Sequence, residues 1–264
     1  MKTLNSRRIG VINTIGLMTL IKREVGRFIK VYSQTIIAPV VTTLLFFTVF
    51  ALAFGGAQRE IDGFPFLEFL APGLIMMSMA QNAFANTSSS LIIGKIQGNI
   101  IDILMPPLSD GEIFIGYLIG GVLRGLSVGL LAVVIISLFV HLPVSSVSSL
   151  IAFAVLGNIM MATMGIMAGI WAEKFDHIAA FTNFFVTPLT FLSGTFYSID
   201  ILPEPWKTMA LYNPFFYMID GFRSGFIGHA DHYIMPGILF LIATNLVLIA
   251  ITYLMIRSGY KIKN

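Results

Sequence analysis

No cysteine occurs among the 264 residues, which excludes disulfides and thiolate chemistry and says little about compartment. Charge is scarce as well. Asp, Glu, Lys and Arg make up 11% of the chain, against about 25% in a soluble domain, so an ordinary wet surface is excluded. No G-x-x-x-x-G-K-[ST] run is present, which removes a P-loop and with it ATP hydrolysis by this chain. None of the four histidines falls in a long apolar run. That leaves Ser193, in the pair Ser193-Gly194, without the buried base a serine protease needs, and a small residue at a helix contact explains the pair. His229, Asp231 and His232 come nearest to a metal cluster, but they are too thin a set to call for a metal.

What the sequence does have is apolar length. Hydrophobic residues make up 56% of the chain, and the mean hydropathy is +0.88. Glu68 to Lys95 encloses 26 uncharged residues, His177 to Asp200 encloses 22, and His232 to Arg257 encloses 24. A helix needs about 20 apolar residues to cross the hydrocarbon core. The expectation is an all-α integral membrane protein with six transmembrane helices over roughly 31–54, 69–93, 113–140, 148–171, 178–197 and 233–256. It forms one membrane domain, 1–264, without repeats or low-complexity segments.

Basic residues orient it. With the N-terminus in the cytoplasm, twelve fall inside: Lys2, Arg7, Arg8, Lys22, Arg23, Arg27 and Lys30 in the tail, Lys95 and Lys174 in inner loops, and Arg257, Lys261 and Lys263 at the end. Only Arg59, Lys207 and Arg223 fall outside. The positive-inside bias therefore puts both termini in the cytoplasm. The run "LMTLIKREVGRFIK" (17–30) places Leu17, Leu20, Ile21, Val25, Phe28 and Ile29 on one helical face and Lys22, Arg23, Arg27 and Lys30 on the other. Glu24 is the exception on the apolar side. Residues 1–30 thus read as a cytoplasmic tail with an amphipathic helix on the inner membrane surface, or else as the snorkelling flank of the first span.

Between spans five and six, the segment 196–232 has an uncharged run of only 12 residues, Thr208 to Ile219, too short to cross. Short re-entrant outer helices fit it, as does a folded loop resting on the membrane. Within the spans only Arg124 is charged, and no Asp or Glu is present to carry protons. Ser78, Gln81, Asn82, Asn86 and Ser89 share a face of span two, and Asn183, Thr187 and Thr190 share one in span five. Such stripes point at protein or at a cavity, so they either bond helix to helix or line a translocation path. Gly116, Gly120, Gly121, Gly125 and Gly129 in span three, with Gly165 and Gly169 in span four, permit close packing within the chain or between copies.

The inner stretch "GNIIDILMPPLSDGE" (98–112) divides at Pro106 and Pro107. Ser109 reads as an N-cap, with Glu112 completing a capping box and Asp110 suiting the helix dipole. Ahead of the prolines, residues 96–105 read as a short helix with Ile100, Ile101, Ile103 and Leu104 along its exposed length. An apolar helix facing the cytoplasm invites a partner.

The runs "APGLIMMSMAQNAFANTSSS" (71–90), "IIDILMPPLSDGEIFIGYLIGG" (100–121), "FVTPLTFLSGTFYSIDILPEPW" (185–206) and "LYNPFFYMIDGFRSGFIG" (211–228) resemble the permease subunits of type-2 ABC exporters, over nearly the whole chain from about residue 17. The resemblance implies a six-helix half-transporter that pairs with a second copy of itself and docks two ABC ATPase subunits. ATP and Mg would then sit on the partner and no cofactor in this chain. The N-terminal helix and the 94–112 coupling loop would meet the ATPase, the loop through Asp102, Ile103, Leu104, Met105, Pro106 and Pro107. Segment 198–230 would match the family's short re-entrant helices, and spans one, two and five would form the path. Phe181, Phe184, Phe185, Phe191, Phe196 and Tyr197 would supply an aromatic belt or simply pack the core. The expected role is ATP-driven export of an amphipathic substrate (drug, lipid or lipid-linked glycan) across a bacterial inner membrane, with no nucleic-acid partner. An ion-coupled secondary transporter and a non-transport membrane scaffold are the alternatives.

Overall fold

A computed structural model describes residues 12–54, 60–61 and 63–261. Lys2, Arg7, Arg8, Arg59 and Lys263 lie outside the described residues. Helix α1 (Thr14–Lys30) starts where the Asn13 side chain accepts from the Gly16 N–H. A π turn at Ser33–Ile37 leads into α2 (Ala38–Ala53), and a two-residue ribbon, β1 (Glu60–Ile61) with β2 (Phe64–Pro65), precedes α3 (Phe66–Ile96). A single turn, α4 (Ile101–Leu104), separates α3 from α5 (Asp110–Ile136), and α6 (Val147–Trp171) follows. The next segment is broken into α7 (Phe175–Phe181), a π turn at Thr182–Val186 and α8 (Thr187–Phe191). After a 3-10 turn at Ile199–Ile201 come α9 (Trp206–Leu211), α10 (Pro214–Ile227) and α11 (Ile234–Ser258).

Four helices among the described residues are long and apolar enough to cross a membrane: Ser33–Ala53, Asp110–Ile136, Val147–Trp171 and Ile234–Ser258. Helix α3 has the length, at 31 residues, but its polar stripe dilutes its hydropathy. The fifth expected span ends early. The chain turns at Leu192, where Ser193 and Thr195 hydroxyls bond the Thr190 carbonyl and Gly194 adopts φ +68°, so 192–197 is not helical.

α3 is the hub and packs chiefly on α6 and α5, with α2 and α10 against its other sides. Small residues make this possible. A Cβ on Gly165 of α6 would meet the Phe84 carbonyl oxygen of α3 at 2.5 Å. Gly165→Leu should therefore lower thermal stability in detergent by about 1–3 kcal/mol through overpacking. Gly111→Ala, which meets nothing within 4 Å, should leave it unchanged.

Several helix ends and connections converge. Lys95, in the last turn of α3, donates to the Ile170 carbonyl at 2.7 Å and the Ala172 carbonyl at 2.5 Å, capping the end of α6. Asn13 Nδ2 donates to the Pro107 carbonyl at 3.1 Å, and Lys261 pairs with Glu173 at 2.6 Å. Thus α1, the 97–109 connection, the α6–α7 loop and the end of α11 share one end of the bundle.

Helix α10 occupies the opposite half of the core and is buried from Phe215 to Ile227. Asn213 caps it by accepting from Phe215 N, and Gly228 closes it at φ +73°. Arg223, counted on the outer side of the membrane, is buried. Its guanidinium lies 3.7 Å over the Phe69 ring and donates to the carbonyls of Phe69 and Gly194, so backbone oxygens and a ring face replace water. The Asp220 carboxylate accepts from the Asp231 and His232 N–H groups, while that of Asp231 accepts from Ser198 and Ile199.

Candidate functional site

The capping box is formed as expected. Ser109 and Glu112 exchange side-chain and backbone bonds, and Glu112 also accepts from the Asn13 N–H, tying α1 to the start of α5. The stretch before it differs from expectation. Gly98 at φ +73° turns the chain back, so Ile100 and Ile103 point inward, at 8% and 4% exposure. They join Leu20, Leu91, Ile113 and Phe114 in a second apolar core, with Leu104 partly buried beside them. The exposed face is Ile101, Asp102, Met105, Pro106 and Pro107. A single turn cannot expose all four aliphatics among residues 100–104, and Ile100 and Ile103 are used to fasten it to the bundle.

The inward side of helix α1 carries Leu17, Leu20, Ile21, Val25 and Phe28, as expected, but also Glu24 and Arg27, while Ile29 is exposed. Leu20, Glu24 and Phe28 are buried, and α1 runs along α5. A Cβ on Gly120 would meet Glu24 Cβ at 2.6 Å, and one on Gly116 would run into Leu20. Gly116 and Gly120 of α5 are thus the seat of α1, whereas Gly121, Gly125 and Gly129 face α3 and α6. Glu24, the misfit on the helical wheel, accepts from Ser90 Oγ at 2.9 Å and lies 3.7 Å from Arg27. Burial pushes its carboxyl above the ordinary value, against the opposing pull of Arg27 and the Ser90 bond. Arg27 donates to Ser89 Oγ, to the Asn86 carbonyl at 2.6 Å and to Asn86 Oδ1 at 2.9 Å.

On the far side of this knot a cleft of about 620 Å³ opens between α2, α3 and the α7–α8 segment. Ser78, Gln81, Asn82 and Thr187 line it, together with Ser88, Ser89, Gln34 and Thr42, and Phe46, Met77 and Val186 supply apolar wall. Asn82 is held from behind, accepting from Arg124 Nη2 at 2.9 Å and donating to the Ser78 carbonyl at 2.9 Å. Arg124 also reaches the Thr35 carbonyl, so its charge is met by an amide and a carbonyl. The other three polar candidates do not line the cleft. Asn86 is fully buried against Arg27, Thr190 bonds the Val186 carbonyl, and Asn183 is exposed away from it. Of the candidate aromatic belt, Phe181 stacks on Phe84 and Phe196 on Phe50, while Phe184, Phe185 and Phe191 are exposed and Tyr197 bonds the Phe191 carbonyl.

Sequence reasoning missed the roles of Arg27, Lys95 and Arg223. Their signals were partial: Glu24 on an apolar face asked for a cation one turn away, whereas nothing local marked Lys95 as the cap of a distant helix.

One family model, described as ABC-2 type transporter, matches residues 16–227, from the start of α1 to the end of α10. The chain belongs to the ABC-2 type transporter family. Among the family's curated members, the inner membrane transport permease YadH of Escherichia coli K12 is 39% identical over 217 residues, 82% of this chain and 85% of that one. Nodulation protein J of Rhizobium leguminosarum bv. viciae is 28% identical over 180 residues, 64% of this chain and 66% of its own. Nodulation protein J of Rhizobium meliloti is 24% identical over 209 residues, covering 75% and 76%. Family membership makes the chain a transport permease rather than an enzyme and implies an ABC ATPase partner.

Proposed function

We propose that this chain is the membrane-spanning subunit of an ATP-driven exporter in a bacterial inner membrane. The observation that carries the reading is the family match, which takes in α1, the exposed turn at 101–107, the cleft and α10 together. Six spans would be Ser33–Ala53, α3, α5, α6, the α7–α8 segment and α11, with α9 and α10 dipping into the outer leaflet and returning. At about 1.5 Å per residue, the 14 residues of α10 reach roughly 21 Å, short of a full crossing. Both termini would be cytoplasmic, on the side of the exposed turn. A second copy would complete the pathway, and two ABC ATPase subunits would hold ATP and Mg.

The coupling contact would be Ile101, Asp102, Met105, Pro106 and Pro107, with Ile100, Ile103 and Leu104 as the anchor that passes its movement to α1, α5 and α6. The cleft intersperses amides and hydroxyls with Phe46, Met77 and Val186, a mixed lining that suits an amphipathic cargo such as a drug, lipid or lipid-linked glycan. Gln81→Trp, at a half-buried lining position, should cut transport at least about tenfold (some 1.4 kcal/mol in barrier) with folded yield unchanged. Equal transport by that variant would remove the cleft from the path. Co-expression with the cognate ATPase and purification in mild detergent tests the reading as a whole. The ATPase is expected to be retained, and its complete absence would count against an ABC mechanism.

A further inference from the structure

A second cavity, about 820 Å³, is unlike the polar cleft in both place and chemistry. It lies between the last turns of α6 and α11 and the first turns of the α7–α8 segment, lined by Met167, Trp171, Phe181, Phe185, Leu254 and Tyr260. Its size falls in the about 300–1,000 Å³ range of small-molecule sites. The lining is almost entirely apolar, with Ser258 and Tyr260 as its hydroxyls, both at the end where α11 stops. At that same end Lys261 Nζ meets Glu173 at 2.6 Å, and Glu173 also interacts with Lys95. Lys261 thus pairs directly with Glu173, and Lys95 adds a second positive charge that acts on the same carboxylate. Lys95 is committed to the α6 carbonyls, so Lys261, at 30% side-chain exposure and held by the exposed Glu173 carboxylate, is the ammonium for which a phosphate would compete with Glu173.

We propose that this groove is a binding site for an anionic phospholipid of the inner leaflet, with an acyl chain against Trp171 and Phe185 and the phosphate at Lys261. Apolar lining alone cannot select a lipid, because bilayer hydrocarbon is equally apolar, so selection rests on the head group. One lysine near an anionic head group gives about a fivefold preference, the equivalent of about 1 kcal/mol. The inference relies on the proposed sidedness for naming the leaflet and on nothing else in the export reading.

Trp171 and Trp206 are the two tryptophans of the sequence, which provides the test. Trp206→Phe leaves Trp171 as the reporter. The protein is reconstituted in phosphatidylcholine vesicles containing a rising fraction of chain-brominated phosphatidylglycerol or chain-brominated phosphatidylcholine, and quenching is followed. The glycerol lipid is expected to quench at about fivefold lower mole fraction. Lys261→Gln should abolish that difference, and Glu173→Gln should widen it by releasing Lys261. Equal quenching by the two lipids would mean that the groove takes bulk lipid only. A preference that survives Lys261→Gln would overturn the head-group assignment, and no quenching by either lipid would mean that something other than lipid covers the groove. The vesicles contain no ATPase, so any of these failures leaves the export reading standing.

Discussion

Met105→Asp is expected to reduce transport by at least about thirtyfold, the equivalent of a 2 kcal/mol interface hot spot, while membrane insertion and folded yield match the unsubstituted chain. Met105 is 78% exposed in a single helical turn that ends at two prolines, so its thioether contributes little to this chain's own packing. A carboxylate there sits in water until a partner covers it, and only then meets the desolvation cost of an unpaired charge. Ile101→Asp, on the same exposed face, should act in the same direction. Ile103→Asp is the informative contrast. Ile103 is 4% exposed inside the second apolar core, so burying a carboxylate there should lower folded yield before any question of coupling arises. Transport per folded molecule separates the two effects. Normal transport by both Met105→Asp and Ile101→Asp would remove the 101–107 turn from the coupling contact.

Arg27→Ala is expected to destabilise the purified protein by about 3 kcal/mol and to loosen α1 from α3. Removing one partner of a buried pair leaves the other charge uncompensated, typically a 3–5 kcal/mol loss, and Arg27 is partly exposed, which favours the lower bound. The sign of the pH dependence follows from Glu24. Its folded carboxyl is already raised by burial above the ordinary 4.5, and losing Arg27 raises it further. A carboxyl with a raised folded pKa binds its proton more tightly than in the unfolded chain, so its contribution is present below about pH 4.5 and is lost as pH rises through the folded value. The Arg27→Ala deficit in thermal midpoint should accordingly be small at pH 4 and grow toward neutrality. Adding Glu24→Gln should recover part of it at pH 7, because the amide carries no charge to strand. An equal deficit at both pH values would show that Arg27 acts through its bonds to Asn86 and Ser89 rather than through Glu24.

Hydropathy located the long helices to within a few residues, because the absence of charge over more than 20 positions leaves a helix few alternatives in lipid. The capping box at Ser109 and Glu112 was equally legible, being local. The facing of residues 100–105 was not. A four-residue helix has no periodicity to read, and the partners of Ile100 and Ile103 come from α1, α3, α5, α6 and α11. The polar stripe of α3 was visible as a stripe, but its division between Asn82 toward the cleft and Asn86 toward Arg27 depends on where α1 lies. That in turn is set by Gly116 and Gly120 of α5. The burial of Arg223 escaped because a cation solvated by backbone carbonyls and a ring face leaves no complementary acid in the sequence beyond Asp220.

The absence of cysteine makes the central claim directly measurable, since any introduced thiol is the only one in the chain. Met105→Cys and, as the control, Leu142→Cys in the connection between α5 and α6 at the opposite end of the bundle, can each be tagged with a short thiol-reactive photocrosslinker in membranes that also contain the ABC ATPase. Position 105 is expected to crosslink to the ATPase with a yield that changes when ATP is added, and position 142 is expected not to crosslink. Crosslinking from position 142 but not from 105 would contradict both the orientation and the coupling contact.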